Sequence, residues 1–375
     1  MKKLRFAALV LACLLLGGCG WLDGSYVSVT PHREQRPAQQ PDAVAVANYQ
    51  ELINALRQIV SSGQETAVIH VAEYPPDAVQ TGVEVAIRYL KTSDPVGAYA
   101  VDDIQCELGT NGNVPALAVA VRYRRSPAEL RQIHRLQRMQ SAEKLVGEAL
   151  ENCDAGIVML VEEYADRDLT QFVQDYAAIN PQTVMEVPQV TENVYGSGGS
   201  RVVELIFTYQ NSREDLRKMQ SQVEPVFNSA LLYVSGEGAD RQKFSQLYAF
   251  LMERFDYKAE TSITPAYSLL RHGVGDSRAF ATVYAAMCRG AELECVTVTG
   301  TCSGEPRTWN IVREGERYYH VDLLRCSELG SYQTFTDKEM EGYVWDYSAY
   351  PACTGAGAAP AEEIGAAAAT EETIE

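Results

Sequence analysis

The sequence predicts an α+β fold in which a small α/β module occurs twice, over residues 46–150 and 151–232, ahead of a further domain over 235–350. Three observations lead there. Short apolar runs of strand length alternate with longer stretches of helical periodicity, the order expected of sheets covered on one side by helices. Three tyrosine pairs, Tyr74/Tyr164, Tyr89/Tyr176 and Tyr123/Tyr209, are separated by the near-constant offsets 90, 87 and 86. Beyond residue 235 the order changes to helix, glycine-rich turn, helix and three strands.

In chain order, Lys2, Lys3 and Arg5 form a cationic start, and Phe6 to Leu16 is an apolar run of eleven residues. A bilayer-spanning helix needs about 20, whereas a charged start, a short apolar run and small residues describe a signal peptide over residues 1–18. The ending Leu16-Gly17-Gly18-Cys19 resembles the lipobox of bacterial lipoproteins. That resemblance implies cleavage before Cys19 and a diacylglycerol on its sulfur, so the expected partner is a membrane and the expected location is extracytoplasmic. Two or more acyl chains give stable anchoring where one does not. Residues 19–45 contain Pro31, Pro37 and Pro41 and show no periodicity, which reads as a polar tether.

The first copy carries strand Ala67–Tyr74, a helix ending near Tyr89, strand Ala116–Tyr123, and a helix from Pro127 past Met139. The second carries strand Gly156–Tyr164, a helix around Tyr176, strand Val202–Tyr209, and a helix from about Ser212. Ser126 and Ser212, each followed by acids in the next turn, read as helix N-caps. No catalytic constellation falls in either copy: His70 lies within an apolar strand and His134 on a basic face. The cluster Arg122, Arg124, Arg125, Arg131, Arg135 and Arg138 reads as a solvated, internally salt-bridged face, with an anionic ligand as the alternative.

Net charge is −18, and about −21 once the leader's three cations are lost. Such a surface repels polyanions, which excludes nucleic acid as a partner. Of nine cysteines, Cys13 leaves with the leader and Cys19 is lipidated; Cys106, Cys153, Cys288, Cys295, Cys302, Cys326 and Cys353 remain. None forms a CxxC pair, so no metal and no cofactor is expected. Disulfides and buried free thiols both stay open. Residues 351–375, rich in Ala, Gly and Glu, are expected to be disordered.

The last domain is carried by helix Lys243–Tyr257, the turn Gly273-Val274-Gly275-Asp276-Ser277, a helix to Cys288, and strands Ala291–Gly300, Arg307–Val312 and Tyr318–Asp322. From about Asp240 to Tyr347 this order resembles the transglutaminase-like, papain-related superfamily. That resemblance implies a cysteine at the helix start, a histidine opening the second strand and an aspartate on the third. Here those positions hold Ser277, Arg307 and Asp322. A serine needs a base to become a nucleophile, and a guanidinium stays protonated. The expectation is therefore a degenerate triad with no catalytic residue, Arg307 paired with Asp322, and a non-enzymatic binding or scaffolding role at the cell surface. The resemblance also places Trp309 and Asn310 in the cleft as binding residues, facing a peptide or cell-wall component. An alternative keeps an active hydrolase or acyltransferase, with Ser277 served by His320, which shares a strand face with Asp322.

Overall fold

The computed structural model describes residues 43–234, 238–259, 262 and 264–355. The leader, Cys19, most of the tether and residues 356–375 of the tail lie outside the described residues. No described helix is long and apolar enough to cross a membrane.

Two four-stranded sheets share one topology. The first is built from β1 (Val44–Ala45), β2 (Thr66–His70), β3 (Val101–Asn111) and β4 (Val114–Tyr123), in the order β1-β2-β4-β3. The second uses β5 (His134–Arg138), β6 (Gly156–Glu163), β7 (Gln189–Tyr195) and β8 (Arg201–Thr208), in the order β5-β6-β8-β7. In each the first pair is parallel and the others antiparallel. Register agrees as well: Val68 lies opposite Ala118 and Val158 opposite Glu204, positions offset by 90 and 86 residues. Helices α1 (Tyr49–Ser62) and α2 (Pro76–Thr92) cover the first sheet; a short α3 (Pro95–Ala100) and α4 (Pro127–Arg131) follow. Their counterparts in the second unit are α5 (Met139–Glu151), α6 (Leu169–Ile179) and α7 (Arg213–Tyr233).

The tyrosines of two pairs fall at corresponding places, whereas Tyr74 is buried against Gly82 of α2 and Tyr164 lies partly exposed beside Asp166 and Arg201. Tyr89 ties α2 to α1 through Arg57, and Tyr176 ties α6 to α5 through Glu151 at 2.8 Å. Tyr123 donates to the Gln64 carbonyl just past α1 at 2.9 Å, while Tyr209 packs beside Cys153 just past α5. Even the helix ends match, since Gly63 (φ 72°) and Cys153 (φ 51°) both take the left-handed conformation that closes a helix.

Two boundaries differ from the sequence reading. The helix expected from Pro127 past Met139 is split: α4 ends at Arg131, β5 intervenes, and α5 begins at Met139. Because β5 pairs with β6, the second unit starts at His134 rather than 151. The strand His-Arg-Leu-Gln-Arg is a charged, exposed edge, so it carries no apolar alternation to read. The second unit also has no clean end near 232, because Leu216, Val223, Phe227 and Ala230 of α7 belong to the C-terminal core.

That core lies between α8 (Asp240–Met252), α9 (Pro265–His272) and α10 (Ser277–Gly290) and an antiparallel sheet. The sheet comprises β11 (Cys295–Cys302), β12 (Glu305–Glu314), β13 (Arg317–Val321) and β14 (Tyr343–Val344), in the order β13-β12-β11-β14. The parallel pair β9 (Asp256–Tyr257) and β10 (Val274–Gly275) sits before α10, and α11 (Leu323–Glu328) follows β13.

Candidate functional site

A tight glycine turn sets the start of α10. Gly273 closes α9 at φ 80°, and a Cβ on Gly275 would lie 2.9 Å from the Ala279 Cβ and about as close to Leu269. Asp276 then caps α10, its carboxylate accepting the Ala279 N–H at 2.8 Å. Ser277 is the first helical residue, partly exposed, and its Oγ accepts the backbone N–H of Thr308 on β12 at 3.2 Å. The structure therefore brings Ser277 beside the start of β12.

Arg307 grips Asp322 with two prongs, Nε to Oδ2 at 2.8 Å and Nη2 to Oδ1 at 2.9 Å. Asp322 is 1% exposed and also caps α11, accepting the N–H groups of Leu324 and Arg325 at 3.0 and 3.3 Å. The Tyr343 hydroxyl donates to Oδ2 at 2.7 Å. Burial opposes the charge on Arg307, but the hydrogen bonds and charge of Asp322 outweigh it and hold the guanidinium above its ordinary value. Burial, then the neighbouring carboxylate, push the Tyr343 hydroxyl upward, so it stays a donor.

His320 is fully buried and committed elsewhere. Its Nδ1 accepts the indole N–H of Trp309 at 3.0 Å, and its Nε2 lies 2.9 Å from Asp337 Oδ1. An indole nitrogen only donates. The neutral imidazole must therefore carry its proton on Nε2, directed at Asp337. Burial lowers the pKa of His320 against the pull of Asp337. With both nitrogens spent, His320 has no lone pair left to receive a proton from Ser277. His272 lies at the end of α9, its ring edge-on to Tyr267.

The donor atoms of His320, Asp337 and Cys353 lie within 4.8 Å of one another. They do not fit a cation. The Trp309 N–H fixes the proton on the histidine nitrogen that faces the cluster, and burial followed by Asp337 pushes the Cys353 thiol up to about 12. The described cysteines are free thiols, Cys302 and Cys326 included.

Trp309 and Asn310, read from the sequence as binding residues, are both 0% exposed. Trp309 packs edge-on to Tyr343 and Trp345, and Asn310 donates to the carbonyls of Ala281 and Val296 at 2.9 and 3.4 Å, tying α10 to the sheet. In these positions both side chains are closed to solvent and pack behind the site. Of the arginine cluster, Arg122, Arg125 and Arg138 pair with Asp102, Glu204 and Glu163 at 2.5, 2.7 and 3.0 Å, and Arg124 binds the Val101 carbonyl. Sequence reasoning missed Tyr343 and Asp337, which follow the last recognisable strand and sit in no periodic pattern.

The model of the Transglutaminase-like superfamily matches residues 230–327. No curated protein matches. Among solved structures, a TGase shares 10% identity at a TM-score of 0.26 over 44% of this chain and 50% of that one. A candidate cysteine protease from Cytophaga hutchinsonii shares 15% at 0.25 over 40% and 65%. A candidate protease from Parabacteroides distasonis shares 8% at 0.22 over 55% and 45%. The chain thus spans from 45% to 65% of the length of these structures. Residues 230–327 form a transglutaminase-like domain set into an α+β chain.

Proposed function

We propose that this protein is a lipid-anchored extracytoplasmic protein whose transglutaminase-like domain binds or scaffolds at the cell surface and does not catalyse. One observation carries the reading: the two-pronged Arg307–Asp322 pair stands where the resemblance requires a histidine held by a carboxylate. A permanent cation there cannot accept a proton from Ser277 Oγ, and His320 is bonded through both nitrogens. Ser277, partly exposed at the start of α10, then lies open to a peptide or cell-wall segment that it does not cleave.

The purified full chain, offered casein with an amine donor and a panel of peptide amides, should show no transamidation and no hydrolysis above background. Turnover that Ser277→Ala abolishes would overturn the reading. The anchor is tested separately by fractionating cells that express Cys19→Ala. The variant should be released or remain unprocessed, and normal processing with unchanged membrane retention would exclude lipidation at Cys19.

A further inference from the structure

The two sheets differ in what lies on the face turned away from their own helices. A sheet with one wet face alternates apolar-in with polar-out along each strand. The central strand β4 does not: between the core residues Leu117, Val119 and Val121 it turns Ala118 and Ala120 outward, both exposed. Val68 and Thr66 of β2 lie opposite them on one side, Glu107 and Gln105 of β3 on the other. Low alanines between taller neighbours leave a trough of about 630 Å³. Alanine is also a poor strand former, so a polar residue would suit an open face better.

The second unit shows how such a face is covered. The corresponding place on its sheet is formed by Gly156, Val158 and Glu204, and Tyr99 and Arg125 of the preceding unit reach over it. The Arg125 guanidinium bonds Glu204 at 2.7 Å and lies over the Tyr99 ring. An aromatic ring and a cation from earlier in the chain therefore meet a carboxylate on the sheet. No described element does this for the first sheet. There the carboxylate stands one strand across, at Glu107, exposed and without a cation among the described residues.

The chain itself arrives at this trough, because Ala43, immediately before β1, is one of the residues lining it. The stretch ahead of Ala43 carries the same two kinds of group: a ring at Tyr26 and guanidinium groups at Arg33 and Arg36, with Val27 and Val29 between. Arg33 stands ten residues before Ala43, a reach of up to about 35 Å. Neighbouring strands are only about 4.8 Å apart, so length keeps neither arginine from Glu107.

We propose that residues 26–42 fold back over the outer face of the first sheet, with Tyr26 to Val29 on Ala118 and Ala120 and an arginine of the same segment paired with Glu107. The inference is independent of the reading of Ser277 and Arg307 and of the lipid on Cys19.

Trypsin tests it, because Arg33 precedes Glu34 whereas Arg36 precedes Pro37, a bond trypsin leaves intact. Cleavage after Arg33 is followed by mass spectrometry in the purified full chain and in a synthetic peptide of residues 26–42. The chain should be cut there about tenfold more slowly than the peptide, since proteolysis follows the population of the open form. Ala118→Glu, which fills the trough with a charge, and Glu107→Lys, which repels the arginines, should each bring the rate to that of the peptide. Both positions are exposed, and an unchanged circular dichroism spectrum checks that each variant keeps its fold. Three results would overturn the proposal: wild-type cleavage at the peptide's rate; protection that either variant leaves in full, which would put the segment elsewhere; or protection that disappears on dilution, which would mean that a second copy of the chain covers the face instead.

Discussion

Asp322 receives five hydrogen bonds, two from Arg307, one from Tyr343 and two from the start of α11. A carboxylate so saturated has no capacity left to orient an imidazole, and its remaining work is structural: it joins β12, α11 and β14. Removing the cation should therefore hurt stability more than any activity. Arg307→Ala strands a buried carboxylate, a loss of about 3 kcal/mol or more when one partner of a buried pair is removed. The side chain of Arg307 is 17% exposed, so water can reach the vacated place and the lower end of that range is expected. Thermal unfolding of the variant should come about 6–12 °C lower than wild type, using about 2–4 °C per kcal/mol. Arg307→Lys, which keeps the charge but loses the fork, should fall between. An Arg307→Ala protein that melts with wild type would show that the pair holds nothing together.

Among the elements, α5 and α6 cross with almost no space between them. A Cβ on Gly147 would lie 2.6 and 2.7 Å from ring atoms of Tyr176, whose hydroxyl is fixed to Glu151 at 2.8 Å. Alanine gains about 1 kcal/mol of helix propensity over glycine, but overpacking against a ring that cannot swing away costs about 1–3 kcal/mol. The balance should favour loss: Gly147→Ala should lower the urea midpoint, and adding Tyr176→Leu should recover most of it. A midpoint raised by Gly147→Ala alone would mean the ring moves freely. Elements of this kind were unevenly legible. The caps at Ser126 and Ser212 were, because an N-cap is a local pattern: both hydroxyls accept from the third residue of their helices, Glu129 and Asp215. The edge strand β5 was not, because an exposed, arginine-rich edge needs no apolar face. At the candidate site the period-2 rule put His320 and Asp322 on one face, but it gave no hint that Trp309 would occupy Nδ1. That contact depends on cross-strand register, Asn310 opposite Val321, which no single strand encodes. Asp337, in a single 3-10 turn, and Tyr343, on the two-residue strand β14, come from elements too short to carry a period.

At the scale of the whole molecule the units stack so that each covers what the other leaves bare. Leu160 and Val202, on the second sheet, belong to the hydrophobic cluster of the first unit. Over them lies α3, with Tyr99 edge-on to Tyr195 at 5.3 Å, and the Ser197 N–H reaches the Ser93 carbonyl at 2.9 Å. The polar centre of this contact is Glu204, 6% exposed, which accepts Arg125 Nη2 at 2.7 Å, the Tyr195 hydroxyl at 2.9 Å and the Asn193 amide at 3.2 Å. Arg125 also lies over the Tyr99 ring at 4.9 Å, so one side chain from the first unit serves both the charge and the aromatic contact. Arg125→Ala should remove about 3 kcal/mol from the junction by leaving Glu204 buried without its cation. The effect should be specific to coupling. Where the wild-type α/β units unfold together in urea, the variant should show two separated transitions by circular dichroism. Arg125→Met with Glu204→Leu, which replaces the pair by apolar groups of similar size, should restore most of the stability and the single transition, because the penalty comes from the stranded charge and not from the lost pair as such. A single, unshifted transition in Arg125→Ala would show instead that the apolar contacts of Leu160, Val202 and Tyr99 hold the units together alone.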